Sequence, residues 1–165
     1  PSASSRTVVP THVGVSRGTR SPTPSSSGRP HARGGEPQRV DDQVRAYECY
    51  LAEALVGLCY EYARPGESLL DVGIGSGLSA APFAKAGLRV SGMDFSAAML
   101  DLCRAKGIAG ALHVHDVMEL PWPFPPDAFD HVIACGLLHF IPDLVAIFDE
   151  VARVIRPDGL FSFTT

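Results

Sequence analysis

The sequence has 165 residues, 45% of them hydrophobic, which predicts one domain with a sizeable core. Six of its 14 basic residues, but only one of its 18 acidic residues, lie within residues 1–39, so residues 40–165 are strongly acidic. Because DNA is bound by clustered Lys and Arg, this balance argues against DNA as a partner.

No apolar run reaches the roughly 18 residues that a membrane span needs, and the N-terminus has no apolar signal core. We therefore expect a cytoplasmic protein that does not enter the membrane. Its four cysteines form no C-x-x-C pair and have no metal-ligand spacing with a histidine. We expect buried free thiols and no metal site.

Residues 1–37 are rich in Ser, Pro, Gly and Arg, so residues 1–39 are predicted to be a disordered tail. An ordinary flexible tail is one interpretation. The other starts from residues 8–16 and 29–37, which a single inverted-repeat DNA string encodes when it is read in two frames. This pattern resembles a CRISPR repeat–spacer–repeat unit translated by accident. On that hypothesis the native protein starts near Val40, and the basic tail is no nucleic-acid-binding arm.

Residues 41–63 have apolar side chains at three- and four-residue steps, which predicts an amphipathic helix that ends before Pro65-Gly66. Strands and helices then alternate. The predicted strands are 68–73, 88–94, 111–116, 129–136 and 160–165. The predicted helices are 78–86, 97–106 with Ser96 as its N-cap, and 143–155. A turn is predicted at Asp158-Gly159, before the last strand.

Residues 120–127 contain four prolines, which exclude a helix or a central strand. Trp122 and Phe124 in this proline-rich loop either wall an apolar substrate or cap the sheet. The alternation of strands and helices predicts a doubly wound α/β fold, in which a parallel sheet carries helices on both faces. Such sheets bind ligands at the carboxyl ends of their strands, which places the chemistry in the loops starting near residues 73, 94, 116 and 135.

The stretch LLDVGIGSG is the most informative part of the sequence. An apolar strand delivers Asp71, and Gly73, Gly75 and Gly77 follow before a helix, so a ligand can approach the backbone closely. A dinucleotide site needs G-x-G-x-x-G, but Leu78 occupies the place of the third glycine. A carboxylate before the first glycine suits a cofactor with positive charge and no phosphate, such as S-adenosylmethionine.

LLDVGIGSG resembles the first motif of the class I (Rossmann-like) S-adenosylmethionine-dependent methyltransferases. The segments GMDFS, HVHDVMELPW, HVIACGLLHFIPDL and RVIRPDGLFSF resemble the motifs that follow, in the same order and spacing over 69–165. The resemblance implies a doubly wound parallel sheet with five of the family's usual seven strands. It therefore also implies that domain 40–165 is incomplete at its C-terminus.

The resemblance implies cofactor contacts beyond the glycine loop. Asp94 would accept hydrogen bonds from both ribose hydroxyls, or it is a plain acid at a helix start. Phe95 would pack on adenine, and Asp116 would bond the adenine amino group beside the Val117 backbone, unless Asp116 is a solvated loop acid. The predicted cofactor site thus contains Asp71, Gly73, Gly75, Gly77, Asp94, Phe95, Met99, Asp116, Val117 and Cys135.

Three of the predicted site residues have competing interpretations. Met99 belongs either to the core or to the adenine site, and Cys135 is either a wall of the site or core. His139 follows the fourth strand and is a candidate general base, or it merely packs its loop. The predicted helix 41–63 would cover the cofactor as a lid, with Tyr47 and Tyr50 as contacts.

The predicted function is methyl transfer to a small molecule, with a protein or RNA acceptor as the next candidate. No cysteine follows a proline, and no Asn/Asp-Pro-Pro-aromatic motif follows the fourth strand, which disfavours cytosine-C5 and amino-group DNA methylation. The first alternative is a cofactor-binding fragment without catalysis. A nicotinamide-dependent oxidoreductase is the remote alternative.

Overall fold

A computed structural model describes residues 50, 52–57, 59 and 61–164. The predicted tail 1–39, Tyr47 and the start of the predicted helix 41–63 lie outside the described residues. Residues 50, 52–57 and 59 are helical, as predicted, but residues 61–63 are not, so the predicted end of this helix is too late. Within the described part, no helix is both long enough and apolar enough to cross a membrane.

The described chain folds into one five-stranded parallel sheet, with helices in the connections except between the third and fourth strands, which the proline-rich loop joins. Its strands are β1 (Ser68–Val72), β2 (Arg89–Asp94), β3 (Ala111–Val114), β4 (Phe129–Ala134) and β5 (Ile155–Phe163). Its helices are α1 (Ala81–Lys85), α2 (Ala97–Lys106) and α3 (Leu144–Val154), with a short 3₁₀ turn at Leu138–Phe140. The spatial order is β3-β2-β1-β4-β5, which confirms the predicted doubly wound fold and places its switch point between β1 and β4.

Apolar side chains cover both faces of the sheet. In β1, Leu69 and Leu70 point to opposite faces, and both are fully buried. Leu69 belongs to the cluster that contains Phe83 of α1 and Leu100 of α2. Leu70 belongs to the cluster that contains Val151 of α3. This burial on both sides explains why the strand reads as a continuous apolar run.

The cap residues decide how well the sequence predicts each helix. Helix α2 has the predicted bounds, because the Ser96 hydroxyl accepts a hydrogen bond from the Met99 N–H and Gly107 ends the helix at φ 64°. Helix α1 is shorter than the predicted 78–86. It starts only at Ala81, beside Pro82, whose missing N–H is tolerated in a first helical turn.

Strand β5 corrects the predicted turn at Asp158-Gly159. The strand already begins at Ile155, directly after α3, and Ile155 pairs with Phe129. The next pair is His131 with Leu160, so the Asp158-Gly159 segment is an irregularity within the strand. Asp158 adopts a φ of 67°, so the backbone bulges here while the residues on both sides stay paired.

The proline-rich loop caps the sheet and is fixed by helix α3. Trp122 and Phe124 are buried in the same cluster as α3, so they do not wall an open acceptor site. The backbone N–H of Trp122 donates to the Glu150 carboxylate at 2.6 Å. Arg153 pairs with Glu150 and donates to the carbonyl oxygens of Trp122 and Phe124.

Candidate active site

Two adjoining cavities open at the carboxyl ends of β1 and β4, where the strand order reverses. The glycine-loop cavity has a volume of about 200 Å³ and is lined by Gly73, Ile74, Gly75, Ser76, Leu78, Ser79, Met99, Cys135 and Gly136. The Phe95 cavity has a volume of about 210 Å³ and is lined by Gly73, Met93, Asp94, Phe95, His115, Val117, Cys135, Gly136, Leu137 and Phe140. Both contain Gly73, Cys135 and Gly136, so they form one cleft at the position expected for a ligand of this fold.

The glycine loop takes a conformation that requires glycine. Gly73, Gly75 and Gly77 have φ values of 75°, 52° and 86°, in the left-handed region that side chains disfavour. The loop bends back on β2, since the N–H of Gly73 donates to the Met93 carbonyl at 2.9 Å. Gly73 and Gly75 line the cleft, whereas Gly77 is buried and lines neither cavity, because it packs against Cys103 and Ile108. The prediction of Gly77 as a cofactor contact is therefore corrected: its role is in the packing of the loop.

Asp94 connects the glycine loop to the start of α2. Its Oδ2 accepts a hydrogen bond from the Gly75 N–H at 2.9 Å, and its Oδ1 accepts one from the Ser96 N–H at 2.8 Å. Each carboxylate oxygen has further lone pairs. The half-buried side chain lines the Phe95 cavity, so those lone pairs remain available to a hydroxyl-bearing ligand.

Asp71 lies directly below the glycine loop. It is fully buried at the end of β1, and its Oδ2 accepts a hydrogen bond from the Ser79 hydroxyl at 2.5 Å. Its Oδ1 has no hydrogen-bond partner among the described residues. Burial, aided by the nearby Asp94 charge, outweighs the lowering effect of the Ser79 hydrogen bond and raises the pKa of this carboxyl to about 7.

The residues predicted for the adenine end separate into two groups. Phe95, Met99 and Val117 line the cleft, and the side chains of Phe95 and Met99 are 77% and 38% exposed. Met99 therefore lines the cleft and is not buried in the core. Asp116 lines neither cavity; its carboxylate accepts a hydrogen bond from the Met118 N–H at 2.9 Å.

Cys135 and Gly136 form the wall opposite the glycine loop. The Gly136 N–H donates to the Thr164 hydroxyl at 2.8 Å, and the Thr164 N–H donates to the Ala134 carbonyl. Strand β5 thereby fixes the end of β4. This agrees with the interpretation of Cys135 as a wall of the site, since it lines both cavities.

His139 lies outside the cleft lining. It belongs to the 3₁₀ turn, is exposed, and its ring centroid lies 3.9 Å from that of Phe140. Phe140 itself lines the Phe95 cavity and is 74% exposed. The structure therefore places the candidate base beside the cleft and not within it.

Sequence analysis missed several residues of the cleft. Gly136 and Leu137 directly follow Cys135, and His115 directly precedes Asp116, so proximity to predicted site residues was the available signal. Ser79 had no such signal, because its role depends on the turn that brings it back over Asp71. The missed residues are Ile74, Ser76, Leu78, Ser79, Met93, His115, Gly136, Leu137 and Phe140.

A larger cavity of about 420 Å³ lies elsewhere, between the described helical residues near Val56 and helix α1. Pro65 and Leu88 line it, and they precede β1 and β2. It therefore lies toward the amino ends of these strands. Parallel α/β sheets bind their ligands at the opposite ends, so this cavity is not the candidate site.

Comparison with known proteins identifies the family. The profile of the methyltransferase domain matches residues 70–163, more than half of the chain. The chain belongs to the class I methyltransferase family. This match covers the glycine loop, the switch point and all five strands except the start of β1. It confirms the predicted family, and it supports S-adenosylmethionine as the cofactor over the nicotinamide alternative.

Three relatives illustrate the similarity of this methyltransferase domain. It is 32% identical over 124 residues to a malonyl-[acyl-carrier protein] O-methyltransferase from Serratia marcescens, covering 75% of this chain and 47% of the relative. It is 30% identical over 119 residues to a ubiquinone biosynthesis O-methyltransferase from Klebsiella pneumoniae subsp. pneumoniae, covering 70% and 47%. An S-adenosylmethionine-dependent methyltransferase structure from Mesorhizobium loti matches with 30% identity and a TM-score of 0.55, covering 60% and 46%. The chain thus spans about half the length of the curated relatives it matches.

Proposed function

We propose that this domain binds S-adenosylmethionine in the cleft between the glycine loop and Cys135-Gly136 and supports methyl transfer to a small molecule. The observation that carries the proposal is the position of two carboxylates at this cleft, in a domain of the methyltransferase family. Asp94 lines the Phe95 cavity, and Asp71 lies buried below the glycine loop.

The residues of the cleft fit this cofactor. The unpartnered buried Oδ1 of Asp71 favours a cationic group at the amino-acid end. A Cβ on Gly75 would lie 3.4 Å from the Met99 side chain and about 4.0 Å from Asp94 Oδ2, so a side chain there would fill space within the cleft. No lysine or arginine lines either cavity, which fits a cofactor without phosphate.

Each side chain has a defined task in the proposal. Asp94 accepts hydrogen bonds from the ribose hydroxyls, and Phe95 packs on adenine with Val117 at its edge. Asp71 balances the positive amino-acid end. Asp116 bonds the adenine amino group only if its carboxylate turns away from the Met118 N–H. When bound, the cofactor supplies a methyl group activated by a sulfonium leaving group.

The protein then contributes mainly alignment of the acceptor with the methyl group and exclusion of water. His139 is a possible general base only for acceptors that must lose a proton early, because it lies beside the cleft. Two relatives, named for malonyl-[acyl-carrier protein] and for ubiquinone biosynthesis, favour a small or carrier-bound acceptor over nucleic acid. The acidic excess of residues 40–165 supports the same choice.

The test is transfer of tritium from methyl-labelled S-adenosylmethionine to a panel of quinol precursors, carboxylic acids, DNA and RNA. We expect label in at least one small molecule and none in nucleic acid. The double variant Asp71→Asn/Asp94→Asn should lose the transfer. Label in nucleic acid alone would contradict the proposed acceptor class. Tight binding of S-adenosylhomocysteine without transfer to any acceptor would favour the alternative of a cofactor-binding fragment.

A further inference from the structure

The carboxyl group of Asp71 combines complete burial with half-satisfied hydrogen bonding. The Ser79 hydroxyl donates a hydrogen bond to Oδ2 at 2.5 Å, while Oδ1 has no partner among the described residues. A buried acceptor without a partner is a costly feature, and native proteins rarely retain one. An ionised Asp71 would in addition be a buried negative charge without a counter-ion, which is more costly still.

Ser79 is the connection between this carboxyl group and the cleft. Ser79 lines the glycine-loop cavity, and Asp71 does not. The serine lies two residues after Gly77, and the turn of the loop at Gly77, with φ 86°, carries the chain back over the end of β1. A charged ligand beside Ser79 in this cavity is therefore separated from the Asp71 carboxyl group by one side chain.

The other charged and titratable groups around Asp71 do not neutralise it. Asp94 on β2 adds a further negative charge, which raises the pKa of Asp71. On α2, the Cys103 thiol is buried, and its pKa is raised by burial and by the Asp71 charge. Lys106 donates its hydrogen bonds to Ser76. Arg104 forms an exposed ion pair with Asp101.

We propose that Asp71 is protonated in the ligand-free cleft and releases this proton to solvent when the ammonium group of the cofactor enters, with Ser79 as the positioning residue that holds the carboxylate. The proposal rests on the proposed function, because it assumes that the cofactor binds here. The O–H bond of the Asp71 carboxylic acid breaks, the proton goes to the buffer, and the carboxylate balances the charge of the ammonium across Ser79. Binding of the cofactor is then linked to pH.

The linkage has a definite sign. Because the pKa of Asp71 in the free chain is about 7, the group is mostly protonated at pH 6 and mostly ionised at pH 8. Ligand binding should release close to one proton at pH 6 and close to none at pH 8. The affinity for an ammonium-bearing ligand should accordingly rise about tenfold between these two pH values.

The experiment is calorimetric titration of the full chain with S-adenosylhomocysteine in pairs of buffers with different ionisation enthalpies. The difference in observed heat gives the number of protons released. 5′-Methylthioadenosine is the matched ligand, since it keeps the nucleoside and lacks the ammonium. We expect proton release at pH 6 with S-adenosylhomocysteine and none with 5′-methylthioadenosine.

Variants separate Asp71 from other titrating groups near the cleft. Asp71→Asn should abolish the proton release, whereas release from any other group would survive it. Ser79→Ala should raise the pKa of Asp71, so that release persists at pH 8 and affinity there falls. Ser79→Thr keeps the hydroxyl and should restore the original profile. Ser91→Ala is the control, because Ser91 lies on the same face of the sheet as Met93, and Asp71 lies on the opposite face.

The outcomes distinguish this linkage from the function on which it rests. Binding of S-adenosylhomocysteine without proton release at pH 6 would overturn the linkage and leave the proposed function intact. An unchanged proton count in Asp71→Asn, or a Ser79→Ala profile equal to that of the unmodified chain, would overturn it as well. A folded chain that does not bind S-adenosylhomocysteine would overturn both proposals.

Discussion

The carboxylate of Asp94 accepts a hydrogen bond of 2.9 Å from the backbone N–H of Gly75, which lies 19 residues earlier in the sequence. This bond joins the end of β2 to the middle of the glycine loop. A second bond, from the Ser96 N–H, fixes the same carboxylate at the start of α2. The Asp94 side chain thus holds the glycine loop in place, and it lines the cavity in which we place the ribose.

We predict that Asp94→Asn weakens binding of S-adenosylhomocysteine by ten- to a hundredfold. The amide has one acceptor oxygen in place of two, and loss of a charge-assisted hydrogen bond is worth roughly 1.5–3 kcal/mol. Calorimetric titration measures the change. Asp101→Asn is the control, because Asp101 forms an exposed ion pair with Arg104 on α2. Equal affinities in both variants would exclude Asp94 from the site.

A second prediction concerns the packing below the glycine loop. Gly77 and Gly107 both have left-handed φ values, 86° and 64°, so alanine is strained at either position by roughly 1–2 kcal/mol. Only at Gly77 would the new Cβ lie within 3.0 Å of other atoms, at 2.7 Å from Cys103 Sγ and 2.9 Å from Ile108 Cδ1. Around Gly107 the space is open.

Gly77→Ala should therefore lower the free energy of unfolding by roughly 1–3 kcal/mol more than Gly107→Ala. Because both variants carry the backbone strain, this difference measures the overpacking alone. Urea denaturation measures both variants. Equal losses would show that the close approach of α2 to the loop is absent in solution.

The sequence predicted those elements whose ends carry their own chemical signals. Helix α2 was predicted to the residue, since Ser96 and Gly107 are strong caps. For α3, the predicted range 143–155 included the flanking residue on either side of Leu144–Val154, because Asp143 caps the helix from outside. Residues 78–80 were wrongly assigned to α1, because the apolar pattern outweighed the signal of Pro82 at the true start.

The parts that sequence could not predict depend on tertiary contacts. Pairing of Ile155 with Phe129 extends β5 back across the predicted turn, and no local pattern encodes that partner. The burial of Trp122 depends on Glu150 of α3, 28 residues away. The hydrogen bond from Ser79 to Asp71 likewise requires the folded glycine loop. These three features depend on contacts between residues far apart in the sequence, so the local motifs could not predict them.

A third prediction concerns acid stability. Burial alone would raise the pKa of Asp130, but hydrogen bonds from the Ser68 N–H and hydroxyl, together with Arg156, outweigh it and lower the pKa to about 2. The unfolded chain has the ordinary value of 3.8. Since the folded pKa is the lower one, the stabilisation is present above about pH 4 and is lost as pH falls through about 2.

Asp130→Asn should lower the free energy of unfolding by about 2 kcal/mol at pH 6, and by much less near pH 2. Urea denaturation as a function of pH measures the difference. Asp149→Asn changes an exposed carboxylate on α3 and serves as the control. It should leave the loss of unfolding free energy at low pH unchanged. A constant difference between the Asp130 variant and the unmodified chain at all pH values would contradict the assignment.

A fourth prediction separates stability from function at Asp71. The folded pKa of about 7 lies above the ordinary value of 3.8, so the folded chain binds the proton more tightly than the unfolded chain. Stability should therefore fall as pH rises from about 4 to 7. In Asp71→Asn this decline should disappear, because asparagine does not titrate. Denaturation midpoints in urea at pH 5 and pH 8 measure it; an equal decline in both proteins would show that another group is responsible.

The central claim is that the cleft between the glycine loop and Cys135-Gly136 holds S-adenosylmethionine. A crystal structure of the chain with S-adenosylhomocysteine tests it most directly. We predict density for the ribose hydroxyls at the Asp94 carboxylate, adenine against Phe95, and the amino-acid end at Gly73, above Asp71. Density in the cavity near Val56 and Pro65, or a cleft left empty at saturating ligand, would contradict the account.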